Sequence, residues 1–188
     1  MTKTPSMTDR DAMNIPLFMT RDCVQNAWVV DDLDSAMRQW TSLWGVGPFF
    51  LMEHVPMENL HYRGKPASID CSIALAQSGR IQIELIQQNC DRPSIYRDYV
   101  PKGRRGFHHI AVIPKDYDRE MAAYANRGIA VGMNGTFGDM RFAYLDAWRE
   151  VGIVIELVED RPSIREYFAK VAAAADGWDG SDAVRPAF

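Results

Sequence analysis

An α+β fold built from two copies of a strand–helix–strand–strand–strand module is what this 188-residue chain predicts. Three observations predict it. Gln25 to Asp34 and His109 to Asp118 share one pattern, a short apolar run, an acidic turn and the start of a helical stripe. Ile83-Glu84-Leu85-Ile86 later in the first half is matched by Ile155-Glu156-Leu157-Val158 in the second. Asp-Arg-Pro-Ser-Ile then follows each of these, at 91–95 and identically at 160–164. An identical pentapeptide in register with two other matches marks an internal repeat.

The elements follow in order. Residues 1–22 carry no sustained apolar period and read as a leader. Gln25 to Val30 is an apolar run of strand length. Asp32 then stands where an N-cap favours a helix, and Leu33, Met37, Trp40 and Trp44 form one stripe of it. Gly45 is placed to end that helix. Phe49 to His54, Ser68 to Gln77 and Arg80 to Gln87 read as the remaining strands of module one, with Ser78-Gly79 as a hairpin turn. In module two, His109 to Ile113 is a strand, Asp116 an N-cap, and Tyr117, Met121 and Tyr124 a stripe that Gly128 ends. Ile129 to Met133, Met140 to Leu145 and Gly152 to Val158 supply its strands. Pro162 to Ala174 reads as an amphipathic helix, and the Gly- and Asp-rich tail from Asp176 as irregular. The expected organisation is a leader at 1–22, one domain at 23–159 (modules about 23–100 and 106–159), and a helix with tail at 160–188.

Composition removes several classes of function. With 21 Lys and Arg against 25 Asp and Glu, the net charge is −4, and Lys102, Arg104 and Arg105 are the only basic cluster, too small a footprint for nucleic acid. Apolar runs stay well short of the roughly 18 residues of a membrane span, and the N-terminus lacks the pattern of a secretory signal. Cys23, Cys71 and Cys90 are odd in number and lack metal-like spacing, so free thiols in the cytoplasm are expected.

Polar residues interrupt four otherwise apolar strands at equivalent positions of the repeat: Gln25 and His109 on the first strand of each module, Glu84 and Glu156 on the last. A carboxylate inside an apolar strand costs several kcal/mol unless it is paired or bound to a metal. Two glutamates, an imidazole and an amide that converge satisfy one another best around a divalent cation. His108, next to His109, should point to the opposite strand face. Cys23 reads as a buried thiol, and His54 and His61 as surface residues.

Val30-Asp-Asp-Leu-Asp34 through Trp40, with Gly45-Val-Gly-Pro48, resembles the first strand–helix unit of the vicinal oxygen chelate superfamily. Ser94-Ile95 through Lys102-Gly103 and Gly106-Phe-His-His-Ile110 is similar to the join between modules in its methylmalonyl-CoA epimerases. The resemblance, to a superfamily of glyoxalases, epimerases and extradiol dioxygenases, covers residues 23–159. It implies a half-open barrel with helices outside and a metal-binding cup inside. It also implies Gln25, Glu84, His109 and Glu156 as metal ligands, a set seen in some glyoxalase I enzymes. The epimerases place His first and usually Gln second, and the ring-cleaving dioxygenases need two His and one Glu for iron.

The reading that results is a metal-dependent isomerase or lyase that abstracts a proton alpha to a carbonyl of a small-molecule substrate. Glu156 is the first choice of base, Glu84 its symmetry mate, and Arg105 a substrate contact. Zn, Ni, Co or Mn suits these ligands better than Fe, and a homodimer is expected. Two alternatives remain: a protein that binds and sequesters a hydrophobic small molecule, for which Trp28, Trp40 and Trp44 offer apolar surface, and, less favoured, an extradiol-type dioxygenase.

Overall fold

The computed structural model of the chain describes residues 23–188, so the expected leader lies outside the described residues. Module one runs β1 (Gln25–Val29), α1 (Leu33–Trp44) and β2 (Phe49–Met52). A hairpin of β3 (Met57–Tyr62) and β4 (Lys65–Pro66) is inserted before β5 (Cys71–Ser78) and β6 (Ile81–Gln88). The helix α2 (Ile95–Tyr99) leads into module two: β7 (Gly106–Val112), α3 (Tyr117–Ala125), β8 (Ala130–Phe137), β9 (Met140–Asp146), α4 (Trp148–Val151) and β10 (Val154–Val158). The helix α5 (Pro162–Ala175) and the strand β11 (Val184–Pro186) follow.

The strands form one curled eleven-stranded sheet in the order β11-β2-β5-β6-β1-β7-β10-β9-β8-β3-β4. β1 and β7 pair antiparallel at its centre, while β1 is parallel to β6 and β7 parallel to β10. Each module therefore runs outward from this seam in the same internal order, and the two are related by a pseudo-twofold axis through it. The sheet does not close, and the result is a half-open barrel of the α+β class.

Local chemistry explains the helices. The Asp32 carboxylate accepts from Ser35 N at 2.8 Å and caps α1; Asp116 accepts from Arg119 N at 3.0 Å and caps α3. Gly45 ends α1 at φ 65°, a left-handed conformation that side chains disfavour. Gly128 acts later than expected: Asn126 is the C-cap of α3, and Gly128, at φ 76°, turns the chain toward β8. Both copies of the repeated pentapeptide begin a helix. Ser94 caps α2 by accepting from Arg97 N at 3.1 Å, whereas Arg161 is the N-cap of α5, with Pro162 in its first turn.

Alternation along the strands sorts the core onto two faces. Outside, Leu33, Met37, Ile83 and Leu85 pack α1 on the sheet, and Tyr117, Tyr124, Ile155 and Leu157 pack α3. Inside, Ala27, Val29, Ile86, Ala111, Val154 and Val158 line the concave face, where Ile95 and Ile164 also end up. Fully burying such a side chain contributes roughly 1.5–3 kcal/mol.

The sequence pattern does not predict α2, α4, β3, β4 or β11, and β3 and β11 show why. Residues 57–62, with only Leu60 buried, lack the alternation that signals a strand, yet they form β3 and strap module one onto β8 of module two (Met57 opposite Phe137, Tyr62 opposite Met133). The tail is not wholly irregular: β11 adds parallel to β2, with Val184 opposite Phe49. Three residues ending in a proline are too short for any period to show. Among the described residues no helix is long and apolar enough to cross a membrane.

Candidate metal centre

Gln25, Glu84, His109 and Glu156 sit on β1, β6, β7 and β10, the four central strands of the sheet. Ala27 stands opposite both Glu84 and His109, and Ala111 stands opposite Glu156. Facing residues of neighbouring strands share a side, so these side chains project into the concave face. His109 is fully buried, and Gln25, Glu84 and Glu156 are at most 7% exposed. His109 Nε2 lies 3.3 Å from Glu84 Oε2 and 3.2 Å from Glu156 Oε2, and one ligand atom from each of the three lies within 4.8 Å of the others. These are close charge contacts without hydrogen-bond alignment: Glu84 Oε2 and His109 Nε2 are shut off from solvent and neither makes a hydrogen bond.

A β-bulge sets the tautomer. Ala27 pairs with His109 and Trp28 with Phe107, which leaves His108 as the extra residue on β7. Strict alternation would send His108 to the outer face. The bulge instead turns it inward, fully buried, against Tyr96 and Tyr144. Its Nε2 lies 3.1 Å from the Ile95 carbonyl, to which it must donate, so its Nδ1 carries a lone pair. That lone pair, 3.0 Å from His109 Nδ1, accepts the proton held there. His109 Nε2 is then a bare lone pair aimed at two carboxylates, unless a second proton or a metal ion sits between them. Orientation of a ligating His through its other nitrogen is the usual support of a metal site.

The electrostatics agree. Burial opposes charge on His109, but the Glu156 and Glu84 carboxylates outweigh it and hold the imidazole up to about 9. Burial pushes the Glu84 carboxyl up, His109 pulls it back, and the Glu156 charge raises it further. Burial, with the charge on His109, holds His108 neutral by pushing it down to about 3. Gln25 Nε2 donates to Gln82 Oε1 at 2.6 Å, which leaves the Gln25 amide oxygen free as a donor atom toward the cup it lines. Three oxygen donors and one imidazole, with no thiolate, fit a divalent ion of the Zn, Ni, Co or Mn kind.

The cup is a cavity of about 80 Å³ with largely apolar walls, among them Ile73, Leu75, Phe142 and Val158. Ile164, Tyr167 and Phe168 of α5 roof it. The hydroxyls of Tyr96 and Tyr144, also in its lining, bond each other at 2.9 Å. The sequence pattern puts Tyr167 on the apolar stripe of α5 with Ile164, but carries no sign that it, Tyr96 or Tyr144 lines the cup.

Arg105 is placed elsewhere. Its guanidinium donates to Gln39 Oε1 at 2.8 Å and pairs with Asp31 at 3.2 Å, on the outer face beside α1. It precedes β7 on the side where Trp28 and Trp40 pack, so it does not reach the cup. These tryptophans likewise stack outside, with ring centroids 4.8 Å apart. Cys23 is half-buried, and burial raises its thiol above the usual range. His54, exposed, pairs with Asp70 at 2.8 Å.

Fold and site together define a protein of paired modules that share one buried Glu–His–Glu centre across their seam. The chain belongs to the Glyoxalase/Bleomycin resistance protein/Dioxygenase superfamily, whose pattern matches residues 24–144. Glu156 and α5 lie beyond that match. Among solved structures, the chain is similar to the hypothetical protein BH1468 from Bacillus halodurans C-125, at 18% identity over 76% of this chain and 96% of that one, with a TM-score of 0.52. It is also similar to methylmalonyl-CoA epimerase from Mycobacterium tuberculosis, at 17% identity over 76% and 90%, with a TM-score of 0.49. No curated protein matches the chain.

Proposed function

We propose that this chain is a metal-dependent isomerase or lyase that removes a proton alpha to a carbonyl of a small-molecule substrate. The observation that carries the reading is the convergence of Glu84 Oε2, Glu156 Oε2 and His109 Nε2, with Glu84 Oε2 and His109 Nε2 buried and unbonded. Gln25, Glu84, His109 and Glu156 would hold the ion, which when bound supplies Lewis-acid polarisation of a substrate carbonyl.

The chain's own residues supply the rest. Glu156 accepts the alpha proton, and Glu84, across the pseudo-twofold axis, faces the opposite side of the substrate and can return it. Burial raises the Glu84 carboxyl toward the range in which a carboxylate is an effective base. His109, locked by His108, keeps its lone pair on the centre. The apolar walls exclude water that would compete for the proton.

The test begins with metal analysis of protein purified without added metal, for wild type and His109→Ala. A screen for solvent deuterium incorporation into candidate hydroxy-ketones follows. Glu156→Gln should reduce exchange about 10²–10⁴-fold while most of the metal stays bound. Glu84→Gln should be the milder change for a substrate that presents its proton toward Glu156, and the harsher one for its mirror image. Full metal occupancy in His109→Ala would overturn the ligand set. Normal exchange in both Gln variants would overturn the base.

The apolar walls favour one second reading, a binding protein for a hydrophobic small molecule. Tight binding with no exchange would select it. We also propose a homodimer in the cytoplasm, for which the support is the exposed Leu43 and Trp44 of α1 and three free thiols. Light scattering tests the first and fractionation the second.

A further inference from the structure

Within the proposed chemistry, on which this step rests, we propose that Tyr167 donates a hydrogen bond to a substrate oxygen, and that the substrate is an uncharged, apolar-bodied carbonyl compound. Three observations meet here.

The first is the state of the Tyr167 hydroxyl. It is shut off from solvent and makes no hydrogen bond, in a cup where the other phenols, Tyr96 and Tyr144, satisfy each other. A buried hydroxyl without a partner costs stability, and a phenylalanine at this position would avoid that cost. A ligand oxygen in the cup would be the missing partner. Burial, and then the Glu84 charge, push the phenol up to about 12, so at neutral pH it is a donor.

The second is where the residue comes from. α5 starts after the two modules are complete and lies beyond the superfamily match at 24–144. The roof, and with it Tyr167, comes from outside the paired modules that supply the four polar residues of the centre. It stands over the carboxylates, so an oxygen held between the centre and the roof would receive the phenol proton as it gains negative charge.

The third is the charge of the walls. The described residues that line the cup include Glu84 and Glu156 and no Lys or Arg. Glu84 and Glu156 already balance the charge of a divalent ion, so a substrate carboxylate would add a buried negative charge with no Lys or Arg in the walls to pair it, which the low-dielectric interior penalises. The nearest opening shares Phe137, Met140, Ile164 and Tyr167 with the cup, so an apolar body can extend outward past the roof. The cation at that opening, Lys170, is already paired with Glu166 at 2.9 Å.

The test uses 2-hydroxyacetophenone, a neutral aromatic α-hydroxy ketone, and mandelate, a carboxylate of similar size. Binding is measured by calorimetry on wild type and Tyr167→Phe, each with and without zinc, together with zinc content and Tm. Wild type should bind the ketone at least tenfold more tightly than mandelate. Tyr167→Phe should lose about 5- to 20-fold in ketone affinity in both metal states, the worth of one hydrogen bond to a polarised oxygen. Its zinc content should be unchanged, and its Tm equal to or above wild type, because the substitution removes an unpaired hydroxyl. A lower Tm would mean a structural partner for the hydroxyl and would overturn the proposal. So would equal ketone affinity in the two proteins, no ketone binding to wild type, or mandelate bound as tightly as the ketone. The proton-abstraction reading fails separately, through absence of deuterium exchange into the bound ketone, and that result leaves the affinity comparison standing.

Discussion

Loading the centre with zinc should expel a proton from His109. In the metal-free protein His109 Nδ1–H is committed to His108, and the two carboxylates hold a second proton on Nε2 with a pKa of about 9. At pH 7.5 a group of that pKa is roughly 97% protonated, so each ion bound should release close to one proton. Competition from that proton weakens apparent affinity roughly 30-fold at pH 7.5 relative to the plateau above pH 9, or about 2 kcal/mol. Any proton held by Glu84, whose carboxyl burial raises, adds to the count and steepens the slope. The assay is calorimetric titration with zinc in buffers of differing ionisation enthalpy, repeated between pH 6.5 and 9.5. The expected result is release of one proton or more at pH 7.5 and a rise of about one log unit in affinity per pH unit, levelling off near pH 9. Release of less than about half a proton, with affinity flat across this range, would refute the charge state derived for the buried triad.

Further outcomes follow from the same geometry. Metal-free protein should lose stability as pH rises: the raised pKa of His109 contributes stability fully present below the unfolded value of about 6.5, worth about 3 kcal/mol and gone above the folded value of about 9, as urea unfolding across this window would show. His108→Phe fills the same space but removes the acceptor for His109 Nδ1–H, so zinc affinity should fall about 10- to 100-fold with far-UV circular dichroism unchanged. Gly132→Ala would place a Cβ 2.4 Å from Ile95 Cδ1 in a fully buried spot, and thermal unfolding should report a loss of about 1–3 kcal/mol.

The repeat made most of the architecture legible. Matched strands and acidic caps at Asp32 and Asp116 located both modules, and the parity of Gln25, Glu84, His109 and Glu156 within their strands predicted which side chains would face one another. What stayed hidden lacked a local signature. β3 exists because β8 offers it a partner, not because residues 57–62 alternate. Parity misplaced His108, since a bulge breaks the period of two and depends on how two strands meet. Arg105 looked available for an anion because its partners, Gln39 and Asp31, lie about 66 and 74 positions earlier in the chain and only the fold brings them near.

The inserted hairpin and the tail have a consequence for how molecules of this protein meet one another. Without them the sheet would end at β2 and β8, strands of four and eight residues with an open row of backbone donors and acceptors. With them the sheet, among the described residues, ends at β4, the two residues Lys65 and Pro66, and at β11, three residues that include Pro186. Ends this short, broken by proline and carrying a lysine on one side, shorten the ladder that a neighbouring chain could extend, leaving Met57 to Leu60 of β3 as the longer uncovered stretch. Edge-to-edge joining of the sheet between molecules is thereby disfavoured.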